Sequence, residues 1–332
     1  MTQPRIVTTA SPATVVLTDA ERRQTGEIAD WLARTEPAAT DDLQWLGAVR
    51  DASAGLPQRL LTELRRFRHD AGPDGVLVIR NLPVTPADGS TVLPPTPAQP
   101  GSVERLASTA SAVITAAMLQ LGEVIAFRNE KSGALVQNVV PVPGQERQQS
   151  NAGSVLLEMH TENAFHDNRP DYIGLFCVRE DPTGEARLCT ASVRRALPLL
   201  SDEARKVLGE NRFLTEAPPS FEGREGAAPA HAILRGAPED PDVLVDFSAT
   251  HPLDDEARTA MAELRDAFIE VTSALALGAG DLAVVDNRLT VHGRTPFTPR
   301  YDGTDRWLHR VYAALDNRRS RPLRTAGGSV LD

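Results

Sequence analysis

Four residues carry the chemistry that this sequence can support. His160 and Glu162 are separated by one residue in Met159-His160-Thr161-Glu162. In an extended segment, residues i and i+2 point to the same face. An imidazole nitrogen and a carboxylate oxygen could then hold one ion. A His-x-Glu tripeptide alone is common as a surface pair, so the weight comes from further along the chain. His292 follows the apolar run Leu282–Val285, and Arg306 lies fourteen residues after it. The segment Pro296–Gly303 between them reads as a turn, and an out-and-back strand pair would bring Arg306 close to His292. Two histidines and one carboxylate on one face of a metal leave the opposite face open, the arrangement of non-haem Fe(II) oxygenases. A keto acid can chelate two of the open positions. Its far carboxylate then needs a planar, permanently charged fork, which arginine supplies.

These residues must be positioned by the surrounding elements. Thr18 and Glu21 form a capping box, and a helix over about 19–34 follows. Leu60, Leu61, Leu64 and Phe67 have helical spacing and predict a helix over about 57–69. Gly72-Pro73-Asp74-Gly75 is a turn leading into Val76–Ile79, a buried strand. Residues 1–17 read as an extended arm. Residues 83–101 contain six prolines and read as a loop or lid. Helices are expected over about 103–121, 193–209 and 254–277. Strands are expected over 123–128, 134–140, 172–178, 243–247, 282–286 and 307–315. Helices concentrate in the first half and short strands in the second, without regular βαβα alternation. This predicts an α+β fold, a sandwich or barrel core with flanking helices.

Composition excludes several functions. The chain has 332 residues, 35 basic and 45 acidic, for a net charge of −10. An electrostatic nucleic-acid binder would be basic, so no nucleic-acid partner is expected. No apolar run reaches the roughly 18–20 residues of a membrane span, and no secretory signal is present, so no membrane partner is expected. Two cysteines cannot form a disulfide framework, which points to a reducing, cytoplasmic setting. Nucleophile-elbow, phosphate-loop and dinucleotide motifs are missing, which argues against hydrolase, NTPase and dehydrogenase. His166 reads as a structural neighbour of the site, and strand alternation puts His309 on the face opposite Arg306. His69, His231 and His251 have no partner spacing. Cys177 and Cys189 read as small buried hydrophobes. The Arg-rich tail reads as solvated. Asp246 closes an apolar run and is either a turn cap or a partner for a cationic group.

Three stretches carry a family resemblance: His160–Phe165 with Arg169–Tyr172, Ala191–Leu200, and Asp286–Tyr312 (DNRLTVHGRTPFTPRYDGTDRWLHRVY). They resemble the clavaminate synthase-like Fe(II)/2-oxoglutarate-dependent oxygenases, nearest to the hydroxylases of free lysine, arginine or asparagine. The resemblance is strong over about 120–315. It implies a double-stranded β-helix (jelly roll) with flanking helices. The whole chain, 1–332, would be one oxygenase domain, with a helical elaboration over about 18–121, a core over about 122–316 and a tail over 317–332. It implies Fe(II) on His160, Glu162 and His292, and 2-oxoglutarate on Arg306. The substrate carboxylate would fall to Arg310, with Gln137, Ser150 and Asp246 as further substrate contacts. Many relatives place a Thr on the cosubstrate; the region here is Leu188-Cys189-Thr190. The implied reaction uses molecular oxygen to hydroxylate Cβ or Cγ of a free L-amino acid, lysine or another basic one first. The alternatives are an oxidative cyclase or desaturase, and a non-catalytic jelly-roll binder.

Overall fold

The computed structural model describes residues 12–89, 91–218, 221 and 229–332. Residues 1–11 of the expected arm and residue 90 of the proline-rich segment lie outside the described residues. The remainder of the arm is a strand: Ala13–Val16 pairs parallel with Val76–Arg80 at one edge of the larger sheet.

That sheet has nine strands. Inward from Ala13–Val16 it runs through Val76–Arg80, Leu282–Asp286, Tyr172–Arg179 and Trp307–Ala314. The last of these pairs on its far edge with both Glu123–Phe127 and Val136–Val139. A four-stranded sheet runs in the order Ser273–Leu275, Leu188–Ser192, Thr290–Arg294, Leu157–His160. The period of two decides what each strand buries. Leu77, Ile79, Leu282, Val284, Phe176, Val178, Trp307 and Val311 enter the cluster that holds the N-terminal helices. Val76, Val78, Ala283, Val285, Leu175, Cys177, Leu308 and Tyr312 face the other way, into a cluster shared with Leu188 of the smaller sheet. The functional cavity opens on this second side.

Helices cover the first side. Thr18 caps Asp19–Ala33 with the expected capping box. Gln58–His69 buries Leu60, Leu61, Leu64 and Phe67. Leu43–Ser53, not anticipated above, starts at Asp42, whose carboxylate accepts the Gln44 and Trp45 amides. Other expectations shift for local reasons. The helix expected from 103 begins at Thr109, because Val103–Glu104 pairs with Val136 and Gln137 and Ser108 is the cap. The helix expected over 193–209 breaks at Pro198 into Val193–Ala196, a 3-10 turn Leu197–Leu199 and a helix Asp202–Leu208 capped by Ser201. The helix expected over 254–277 stops at Glu270, and Ser273–Leu275 becomes a strand. The strand expected over 243–247 is split. Asp240–Val243 forms a hairpin with Leu234–Ala237, while residues 245–247 bond to the segment carrying His160. The tail folds back, with Val330–Leu331 parallel to Ala126–Phe127, although Arg318, Arg319 and Arg321 stay exposed. No helix among the described residues is long and apolar enough to cross a membrane.

Candidate active site

Leu157–His160 and Thr290–Arg294 are antiparallel neighbours, and His292 sits in register with His160. Their ring centroids are 4.3 Å apart. Glycine at 293 permits this approach: a Cβ there would lie 2.5 Å from the Leu157 carbonyl oxygen. Glu162 lies two residues beyond the end of its strand. Thr161 N–H donates to the Val245 carbonyl, and Glu162 N–H to Oδ1 of Asn287 at 2.8 Å. Asn287 also donates from Nδ2 to the carbonyls of Glu162 and Pro170. This fully buried amide therefore pins the turn that presents the carboxylate. One ligand atom from each of His160, Glu162 and His292 lies within 4.8 Å of the others.

The protonation states suit a metal. Burial pushes His292 down and keeps it neutral, as a ligand must be. Burial opposes ionisation of Glu162, yet the Arg310 guanidinium and the neighbouring imidazoles hold its carboxyl well below the usual range. His160 Nδ1 lies 2.9 Å from the Glu158 carbonyl. That contact favours the proton on Nδ1 and leaves Nε2 as the donor. Two imidazoles and one carboxylate fit Fe(II) with open positions beyond them.

The cluster opens into a cavity of about 340 Å³, lined from both sheets. Arg306 lines it, is buried, and makes no hydrogen bond or ion pair with any described residue. Arg310 also lines it but is engaged. Its Nη1 lies 3.1 Å from both Glu162 oxygens, and its Nη2 pairs with Glu130. Gln137 stands behind Arg310, its Oε1 accepting from the guanidinium and its Nε2 donating to the Ala134 carbonyl. It does not line the cavity. Ser150 does, beside Asn151. Asp246 is bridged through its backbone to His160, and its Oδ1 accepts from the Ser248 amide and hydroxyl. It acts as the turn cap, and Ser248 rather than Asp246 reaches the cavity lining. Leu188 lines the cavity, and Thr190 faces His292 in register on the adjacent strand.

Sequence reasoning missed Glu130, Lys131, Asn151 and Arg294, which also line the cavity. Arg294 had a signal, since it stands two residues after His292; the others sit on turns with no spacing rule. His166 packs edge-on to Phe127 at 4.8 Å and accepts the Asn168 amide. His309 is buried on the helix side, 3.8 Å from Glu104. Burial pushes the Cys177 thiol up to about 12 and the Cys189 thiol up to about 11, so neither is a nucleophile at neutral pH.

Comparison with known proteins agrees with this geometry. Residues 38–312 match the family described as taurine catabolism dioxygenase TauD, TfdA family. The chain is 50% identical to L-asparagine oxygenase of Streptomyces coelicolor, over 97% of this chain and 96% of that protein. It is 35% identical to clavaminate synthase 2 of Streptomyces clavuligerus, over 82% of this chain and 84% of that one. A crystal structure of asparagine oxygenase with Fe(II), (2S,3S)-3-hydroxyasparagine and succinate superposes with a TM-score of 0.92 at 48% identity. That match covers 96% of this chain and 98% of the other.

Proposed function

This chain belongs to the TauD/TfdA dioxygenase family, and on that premise we propose that it hydroxylates L-asparagine, or a close amide analogue, at Cβ. It is a non-haem Fe(II)- and 2-oxoglutarate-dependent dioxygenase acting on free amino acids. Asparagine replaces lysine as first choice because the relative named L-asparagine oxygenase is 50% identical, while the one named L-lysine 3-hydroxylase is 31% identical over a similar share of this chain. The observation that carries the enzyme reading is a His160, Glu162 and His292 cluster opening onto a cavity that holds the unpartnered Arg306.

His160, Glu162 and His292 would hold Fe(II), and Arg306 the distal carboxylate of 2-oxoglutarate. Bound together with oxygen, metal and cosubstrate supply the oxidising power to convert a C–H bond to C–OH. The protein's part is placement. Arg310 and Glu130 put opposite charges side by side on the cavity wall. Such a pair matches the zwitterion of a free amino acid: Arg310 takes the α-carboxylate and Glu130 the α-ammonium. Gln137 orients Arg310 from behind. Asp246 keeps one carboxylate oxygen without a hydrogen bond among the described residues, close to His160. Ser150, which lines the cavity, is suited to the side-chain amide, and Asp246 would support that wall through Ser248. The two facing sheets are read as a jelly roll, and residues 1–332 as one oxygenase domain with the divisions given above. A cytoplasmic setting is consistent with two free, buried cysteines.

Succinate release with Fe(II), ascorbate and 2-oxoglutarate, measured across the free L-amino acids, tests the proposal. Asparagine should stimulate release most and gain 16 Da. Stronger stimulation by lysine or arginine would reject the amide preference. A product 2 Da lighter would indicate desaturation.

A further inference from the structure

We propose that Arg294 is a second cationic anchor of the cosubstrate cavity, gripping the distal carboxylate of 2-oxoglutarate together with Arg306. The inference rests on the cosubstrate reading of this cavity and adds a residue to it.

Arg294 follows His292 by two positions on the same strand and lines the cavity. It is 4% exposed. A guanidinium carries five N–H donors. Here Nη2 donates to the Val155 carbonyl at 3.0 Å, and the guanidinium lies 4.9 Å from the Phe297 ring centroid. Its buried Nε has no partner, and no acidic side chain pairs with it among the described residues. Arg306 lines the same cavity. Arg306 is 7% exposed and forms no ion pair among the described residues, the charge of Asp181 reaching it only at a distance.

Two buried guanidiniums beside one another repel, and burying each costs several kcal/mol unless an anion compensates. The neighbouring strands do not provide one. The position facing Arg294 is Leu188, and Leu308 stands two residues from Arg306 on the cavity side. Neither brings an acid or a hydroxyl. By contrast, the metal end of the cavity already has Glu162 and Glu130 to balance Arg310. The uncompensated positive charge is therefore concentrated away from the metal, where the far end of a dicarboxylate lies when its keto-acid end is at the metal. Lone charge attraction would be satisfied by Arg306 alone. A second fork offers donors from another direction and favours a dianionic over a monoanionic keto acid.

The test is binding, not turnover. Calorimetric titration of the Fe(II)-loaded protein without oxygen gives dissociation constants for 2-oxoglutarate and for pyruvate, which lacks the distal carboxylate. Arg294→Gln should weaken 2-oxoglutarate at least tenfold and leave pyruvate within twofold. If the glutamine variant is unstable, Arg294→Lys carries the test: it keeps a charge but loses the fork, and should weaken 2-oxoglutarate about threefold with pyruvate again unchanged. Unchanged 2-oxoglutarate affinity in a folded variant overturns the proposal. So does an equal loss for both keto acids, which would mean that Arg294 only shapes the strand. Arg306→Gln is the control on the underlying reading. If it leaves 2-oxoglutarate binding intact, the cosubstrate assignment of the cavity fails, whatever Arg294 does.

Discussion

Asp286 and Glu162 meet at Asn287, and their carboxyls sit in opposite electrostatic settings. Glu162 is buried, but Arg310 faces both of its oxygens, so it stays ionised. Asp286 is buried without a cation. Amides of Arg288 and Leu289 donate to its Oδ1 at 2.9 and 3.2 Å. Burial outweighs these bonds and, with Asp242 and Asp171 nearby, pushes it up to about 6. In the unfolded chain an aspartate titrates near 3.9. The folded protein thus holds a proton that the unfolded chain has lost between about pH 4 and 6. Its contribution to stability is fully present below pH 4 and is lost as pH rises through 6, on the order of 2–3 kcal/mol. Asp286→Asn keeps the acceptor oxygen and removes the charge. It should stabilise the protein by about 2 kcal/mol at pH 8 and flatten this part of the pH dependence, as read from denaturant unfolding between pH 4 and 8.

At the scale of elements, two strands supply most of the site through strict alternation. From Arg306 to Tyr312, even positions face the cavity side and odd ones the helices, which places Arg306 and Arg310 together and sends His309 away. The Leu157–His160 and Thr290–Arg294 pair sets the separation of the two histidines. A register shift lies between His292 and Arg294, and the close approach at Gly293 sits within it. Gly293→Ala forces a Cβ against backbone that no rotamer can relieve. The strands must part, and His160 moves from His292. Fe(II) affinity should fall at least tenfold while far-ultraviolet circular dichroism stays native. An unchanged affinity would show that the strand contact does not set the ligand spacing.

Across the molecule, the proline-rich segment acts as a strap on the turn before Arg306. Arg179 closes its strand and donates to Thr96 Oγ1 and the Gly303 carbonyl from Nη1, and to the Pro94 carbonyl from Nη2. Thr96 also donates from its amide to Gly303 and from its hydroxyl to the Asp305 carbonyl. The Asp305 carboxylate accepts the amides of Arg300 and Tyr301. Residues more than 80 apart in sequence from Arg179 and Gly303 are thereby fixed beside Arg306. Arg179→Ala releases three hydrogen bonds without touching the cavity. The KM for 2-oxoglutarate should rise about three- to tenfold, with kcat and Fe(II) affinity little changed. A fall in kcat alone would contradict this positioning role.

Local features were legible in the chain because they depend on neighbours a few residues apart. The Thr18–Glu21 cap, the buried strands Val76–Arg80 and Leu282–Asp286, and the alternation separating His309 from Arg306 all follow from periods of 2 or 3.6. The spacing of His160, Glu162, His292 and Arg306, with the family resemblance, pointed to the metal cluster and cavity. Helix ends were less legible, since Val103–Glu104 and Ser273–Leu275 become strands only when their partners arrive. The rest belongs to tertiary structure. Asn287 clamps a turn 125 residues away, and Arg310 bridges Glu130 and Glu162, 180 and 148 residues away. Gln137 is turned onto Arg310, 173 residues away, by the same packing. No periodicity reports such pairs: a buried charge selects its partner by distance and direction in three dimensions, and the folded sheets alone set both.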